Sequence, residues 1–486
     1  MKLVDPMDFS IDPMLSNMQG NIIKGHGRDH TTHIFICFRI GKEKKAKQWI
    51  RNLAEEHITS CKKQLKEREL YKRNKTDGDT FMSLFLSSEG YRYLGYANVN
   101  TKLTDEGFKA GMQKRINQNH DPAVEKWETA FQQEIHAMLL IADDQVNRMG
   151  LAAKEMLESI TDFSTVCGIE YGNAIRNANK DGLEHFGYVD GISQPLFLKD
   201  EVQAYMSFHS IKEDNKNPDD PFAAAKFNPA ADTALVLIPD PFAPKEQKAS
   251  CFGSYFVFRK LEQNVKEFKH AEEVLGKKMF PQKEDAEKRE VAGAYIVGRF
   301  EDGTPVAMDD EEGMIGAGNF NNFNYDDDPS GGRCPHFAHI RKTNPRKDFI
   351  PNDDHKSHIM ARRGIPFGHR NVDTAIEPCN LQMPENGVGL LFMSYQASIK
   401  KQFEFIQQSW ANNPSFPPGI PANETGVDLI IGHPHIPDGE PLRKYNFPLP
   451  YGSSKKIEAT MQQFVTMKGG EYFFAPSIYF LKTLPE

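Results

Sequence analysis

Apolar runs and charged helical stretches alternate along this chain in one order and then begin to repeat it, which limits the fold more than any other feature. Residues 33–40 read as a strand, with a charged helix near 42–57 behind it. Trp49, Ile50, Leu53 and Ile58 recur there at helical spacing and are expected in the core. Residues 81–86 and 137–142 are two further apolar strands; a helix near 144–160 and a strand near 164–171 follow. Strand, helix, strand, short helix, strand, helix, strand is the order of a ferredoxin-like βαββαβ unit. The second half echoes it: a strand at 254–259 feeds a helix near 262–275, and 389–395 feeds one near 398–410.

The expected fold class is therefore α+β, with two ferredoxin-like βαββαβ units built on antiparallel sheets. One unit spans 1–198 and the other 233–486. Residues 199–232 join them as a polar, turn-rich connector containing Asn217-Pro218-Asp219-Asp220-Pro221. Residues 1–30 look irregular and are expected to drape over the surface, and 300–388 reads as one long, function-bearing loop region.

Within that frame, three distant segments carry chemistry. Gly187-Tyr188-Val189-Asp190-Gly191 offers a carboxylate in a glycine-framed turn. His339-Ile340-Arg341-Lys342-Thr343-Asn344-Pro345-Arg346 offers an imidazole, and Arg362-Arg363-Gly364-Ile365-Pro366 a cation. Each alone reads as a turn, a surface histidine or a loop before proline; together they match what peroxide cleavage on haem iron requires. An imidazole can bind the iron. A carboxylate can move a proton between the peroxide oxygens. A guanidinium can stabilise charge on the departing oxygen while staying charged in a dry pocket.

With Ile192-Ser193-Gln194-Pro195 after the first segment and Cys334-Pro335 before the second, the pattern resembles the dye-decolourising peroxidases. Similar stretches near the two ends, Gln19 to Arg28 and Lys468 to Pro476, extend the resemblance over almost the whole chain. It implies a haem peroxidase that reduces hydrogen peroxide and oxidises dyes, phenols or other small organic reductants by one-electron steps. It also implies one haem b per chain, seated in the second unit.

Carried over residue by residue, the resemblance makes Asp190 the distal acid–base and Arg362 the distal cation, with Arg363 pointing elsewhere. His339 becomes the iron ligand, preferred over His336. Arg299, in a stretch where this chain has Phe300 in place of the family's tryptophan, is a candidate for a haem propionate. Glu404 is a candidate partner for the second ring nitrogen of His339. Tyr188, Tyr395 and Trp410 are candidate surface relays for electrons from bulky substrates, although Trp410 reads first as core.

Two other readings remain open at this level. One is a haem-binding protein for storage or iron release, with incidental peroxidase activity. The other is a non-haem metal hydrolase using His355, His358, His433 and His435, whose flanks are typical of loops.

Net charge is −8, and no Lys/Arg cluster is long enough to suggest nucleic acid or an anionic membrane surface. Lys42 to Lys47 reads as a solvated helix face, and Tyr325-Asp326-Asp327-Asp328-Pro329 as a solvated acidic turn. No stretch of about 18 apolar residues is present. The opening residues show no secretory leader pattern, and six scattered cysteines fit a reducing cytoplasm. A homo-oligomer is left open.

Overall fold

The computed structural model describes residues 3–211, 225–311, 321–346, 348, 355–370, 383–421, 424–433 and 443–485. The first unit runs β1 (His30–Phe38), α1 (Glu43–Glu56), α2 (Cys61–Asn74), β2 (Phe81–Leu86), β3 (Ala137–Asp143), α3 (Val146–Ile160) and β4 (Ser164–Asn173). Its antiparallel strands lie in the order β2-β3-β1-β4, with Ile34 of β1 opposite both Leu139 and Ile169. β2 and β3 are buried along their whole length, as strands covered on both faces must be. Ala46, Ile50, Leu53 and Ala54 form the apolar stripe of α1, and Met149, Ala153, Met156 and Ile160 that of α3.

The second unit comprises β5 (Phe252–Gln263), α4 (Val265–Met279), α5 (Asp285–Val297), α6 (His339–Thr343), β6 (Ala361–Arg362), β7 (Ile365–Phe367), β8 (Gly389–Gln396) and β9 (Val465–Ala475). β6 and β7 both pair with β8, β8 with β5, and β5 with β9, which reproduces the strand order of the first unit. The expected pair of ferredoxin-like units is thus present. A single residue pair, Phe474 opposite Leu86, joins them into one sheet. The far edges approach each other as well: a Cβ on Gly172 of β4 would lie 2.4 Å from Ile365 Cγ2 of β7. The sheet therefore curls toward a barrel. Its two halves meet through Phe35–Phe258 at 4.9 Å and Phe85–Phe256 at 4.2 Å between ring centroids.

Four expectations need correction. The N-terminal segment is not draped over the surface, because Leu15, Met18, Ile22 and Ile23 are buried. Between them the Gln19 amide donates to Leu84 O at 2.8 Å and Pro476 O at 3.0 Å, tying both units together. The connector contains a helix, Lys199–Phe208, while its Asn217–Pro221 turn lies outside the described residues. The region read as one long loop supplies β6 and β7, the second strand of the second unit. Arg363 and Gly364 split that strand into pieces of two and three residues, too short to show an alternating pattern. Finally, the helix expected near 398–410 is one α-turn, Phe403–Phe405, running into a π-helix, Ile406–Ala411.

The acidic turn is also only half solvated. Asp326 and Asp327 are exposed, but Asp328 is buried and accepts the N–H of Arg333 at 3.0 Å and of Cys334 at 2.9 Å. It also binds Arg341, whose Nη1 lies 2.9 Å away, while Arg341 Nε donates to Asp348 at 2.6 Å. The Arg341 side chain is 1% exposed, and its guanidinium stacks 4.4 Å from the Tyr325 ring centroid. Arg341→Met is therefore expected to destabilise the fold by about 3–5 kcal/mol, since two buried carboxylates lose their cation. Chemical denaturation would measure this; a midpoint equal to wild type would show that the cluster is dispensable.

Candidate active site

α6 is a single turn, too short to stand alone, and its basic residues hold it in place. Arg341 anchors it to the acidic turn. Lys342 is fully buried and donates to Asn413 O at 2.8 Å and Phe416 O at 2.6 Å. Burial pushes the Lys342 ammonium down to about 7. The basic run after His339 is thus interior scaffolding.

At the start of that turn, His339 faces a cavity with about 240 Å³ open to the centres of water molecules. His339 Nδ1 lies 2.8 Å from Asp428 Oδ2. Asp428 is buried, and its other oxygen accepts the N–H groups of Ile430 at 2.7 Å and Ile431 at 2.8 Å. A carboxylate can only accept here, so Nδ1 carries a proton, and in the neutral imidazole it is Nε2 that holds the lone pair. Burial opposes charge on the imidazole, but Asp428 outweighs it and the His339 pKa is raised.

Glu404 does not fill that role. It binds Arg115 through both oxygens, at 2.8 and 2.5 Å, and takes the Tyr472 hydroxyl at 3.2 Å. Asp428 escaped the sequence reading because it lies 89 residues beyond His339 in a short apolar segment with no motif of its own. His336 points its Nε2 at Pro329 O, 3.2 Å away, and is absent from the cavity wall.

Asp190 and Arg362 line the same cavity as His339. Gly187 and Gly191 frame the Asp190 turn with φ of 107° and 79°, a region that favours glycine. Gly191 N–H donates to Asp190 Oδ1 at 2.6 Å. The residues that follow then hold Arg362: its backbone N–H donates to Gln194 Oε1 at 3.1 Å and its Nη2 to Ser193 O at 3.2 Å. Arg363 points away and clamps the N-terminal segment through Asn21 O at 2.7 Å and Ile22 O at 2.8 Å.

Arg299 is in the wall too, with Nη1 donating to Gly303 O at 2.8 Å and burial lowering its pKa to about 10. A second buried guanidinium was not singled out from sequence. Arg346, with φ of 50°, packs 4.0 Å from the Phe227 ring centroid and 3.8 Å from that of Phe323. It donates to Asn321 O, Phe323 O, Asn321 Oδ1 and Ser193 Oγ, and to no carboxylate among the described residues. Burial lowers its pKa to about 9. The Asn-Pro-Arg ending of the histidine segment was its available signal.

The remaining candidates are placed differently from expectation. Tyr188, Tyr395 and Trp410 are 4%, 0% and 3% exposed, so none is a surface residue. Among the described residues, no group of three or more His, Cys, Asp or Glu side chains converges as a metal site. His358 instead stacks on Phe405 at 3.7 Å, His433 is part of the cavity wall, and His435 lies outside the described residues. The hydrolase reading has no assembled ligand set there.

The cavity thus joins an imidazole with a free ring nitrogen, a carboxylate, a held guanidinium and two further buried cations, between apolar walls that include Leu261, Leu390, Phe392 and Ile430. Such a set can bind a metal cofactor, move a proton and offset negative charge. Residues 17–173 match the family described as the DyP dimeric alpha+beta barrel domain, and residues 226–415 match the Dyp-type peroxidase C-terminal family. The multifunctional dye peroxidase DyP2 of Amycolatopsis sp. is 40% identical, over 97% of this chain and 96% of its own. A dye-decolorizing peroxidase of Mycetinis scorodonius is 28% identical, over 97% and 87%. Among solved structures, the DyP-type peroxidase of Anabaena sp. superimposes with a TM-score of 0.87 at 36% identity, covering 99% of this chain and 97% of that one. The chain belongs to the dye-decolourising peroxidase family and is a peroxidase. No helix among its described residues is long and apolar enough to cross a membrane.

Proposed function

We propose that this chain holds one haem b per molecule on His339, reduces hydrogen peroxide with it, and oxidises dyes, phenols or other small organic reductants in one-electron steps. The observation that carries the reading is the convergence of the His339–Asp428 pair, Asp190 and Arg362 on one cavity. The donor set suits haem. Nε2 of His339 is available to iron, and the buried positive charge of Arg346, which meets no carboxylate among the described residues, suits a propionate, with its Nε–H left to donate. Arg299 is assigned the same propionate-binding role.

When bound, haem supplies the iron at which the O–O bond is split and through which electrons pass singly. Asp190 accepts a proton from one peroxide oxygen and returns it to the other. Arg362 offsets the negative charge that grows on the departing oxygen. Asp428 keeps the proton of His339 on Nδ1, so that Nε2 faces the cofactor. A division at residues 198 and 233, a cytoplasmic location and assembly as a homo-oligomer belong to the same proposal.

The test is the absorption spectrum of haem-loaded protein before and after one equivalent of hydrogen peroxide. A rapid spectral change that an electron donor reverses is the expected result. Haem that binds yet barely reacts would move the assignment to haem storage or iron release. No haem uptake would remove both.

A further inference from the structure

The turn that carries Asp190 is held by a second carboxylate. Glu184, six residues upstream, accepts the backbone N–H of Phe186 at 2.8 Å and of Tyr188 at 3.0 Å. Gln263, the last residue of β5, donates its side-chain N–H to the same group. Glu184 and Asp190 are the two carboxylates among the described residues of the cavity wall. Burial raises the Glu184 pKa, and its three N–H donors work against that rise. The far side of the turn is fixed as well: Val189 N–H donates to Glu301 O at 3.1 Å, and Asp190 N–H to Gly182 O at 2.9 Å.

The Gln263 contact links the two catalytic groups. β5 pairs with β8, and Ser394 of β8 lies opposite Arg362. One sheet therefore fixes Arg362 through strand pairing and the Asp190 turn through Gln263 and Glu184. We infer that Glu184 is a positioning residue for the distal acid: it sets where Asp190 stands relative to Arg362 and acts on the reaction through that placement. This rests on the peroxidase reading above.

The carboxylate form is essential to that role. One oxygen serves Tyr188 N–H, and the other serves Phe186 N–H and Gln263. An amide has a single oxygen, so Glu184→Gln sets an N–H against an N–H on one side, and the turn must shift. A displacement of about 1 Å at a reacting group costs roughly 100-fold in rate.

The experiment is a double-mutant cycle on haem-loaded protein, with the peroxide step followed by stopped-flow absorption and haem dissociation measured in parallel. Glu184→Gln is expected to slow the peroxide step about 10–100-fold with haem dissociation unchanged. In an Asp190→Asn background the same change should cost less than about twofold, because the group it positions has been disabled. Gln263→Leu should give a smaller loss with the same dependence on Asp190, and serves if Glu184→Gln does not fold. Equal losses in both backgrounds would overturn the inference, and so would wild-type rates in both variants. An Asp190→Asn rate equal to wild type would instead remove the role of Asp190 itself, and this inference with it.

Discussion

A His339→Ala variant is expected to be isolated with little or no haem, and to regain haem binding when free imidazole is supplied. The loss follows from how the site is made. His339 is the imidazole in the cavity wall whose Nε2 is left available by a carboxylate on Nδ1, whereas the other wall histidine, His433, accepts the Gln463 amide N–H at Nδ1 and so carries its proton on Nε2. Without His339 the cofactor keeps only its propionate contacts and apolar packing. Asp428→Asn is the graded companion: its single oxygen cannot serve both Nδ1 and the N–H groups of Ile430 and Ile431, and it carries no charge. Haem affinity or turnover should then fall about 10–100-fold, the range seen when the partner of a ligating histidine is changed. A haem titration by absorbance measures both. Undiminished affinity in His339→Ala would remove the ligand assignment.

The second large effect is expected on the peroxide step. Asp190→Asn should slow it by about 10²–10⁴, the range for loss of a general acid–base group. Arg362→Leu should slow it by about 10²–10³, as removal of one charge-stabilising donor does. Both variants should keep haem, since His339 and Arg346 are untouched. The losses should not add, because the two groups act on one bond-breaking event. Stopped-flow absorption after mixing with peroxide gives the rates directly. Wild-type rates in both variants would show that the cavity does not act as assigned.

Much of this was legible in the sequence where local signals are strong. β2 and β3 stand out as apolar runs because they are buried on both faces. α1 and α3 carry apolar stripes at helical spacing because each covers one side of the sheet. Asp190, His339 and Arg362 stood out because the three stretches that hold them, taken together, resemble the dye-decolourising peroxidases. Where such signals are missing, the sequence was silent or misleading. β6 and β7 are too short and too interrupted to show a period. Gln19 and Asn21 look like surface polar residues, yet they are buried and bonded to the chain around them.

What the sequence by itself determined is the order of elements, the repeated antiparallel unit and the local form of the segments that carry Asp190, His339 and Arg362. These depend on neighbours close along the chain, through side-chain periodicity and turn geometry. What only the tertiary structure decided is which groups meet. Asp428 reaches His339 across 89 residues, Gln263 reaches Glu184 across 79, and Ser193 and Gln194 reach Arg362 across 169 and 168. Such contacts are made as the single sheet formed by the two units curls and brings distant segments together around a cavity. Their energy comes from excluding water between partners that no local pattern pairs, so nothing in the sequence near either partner records them.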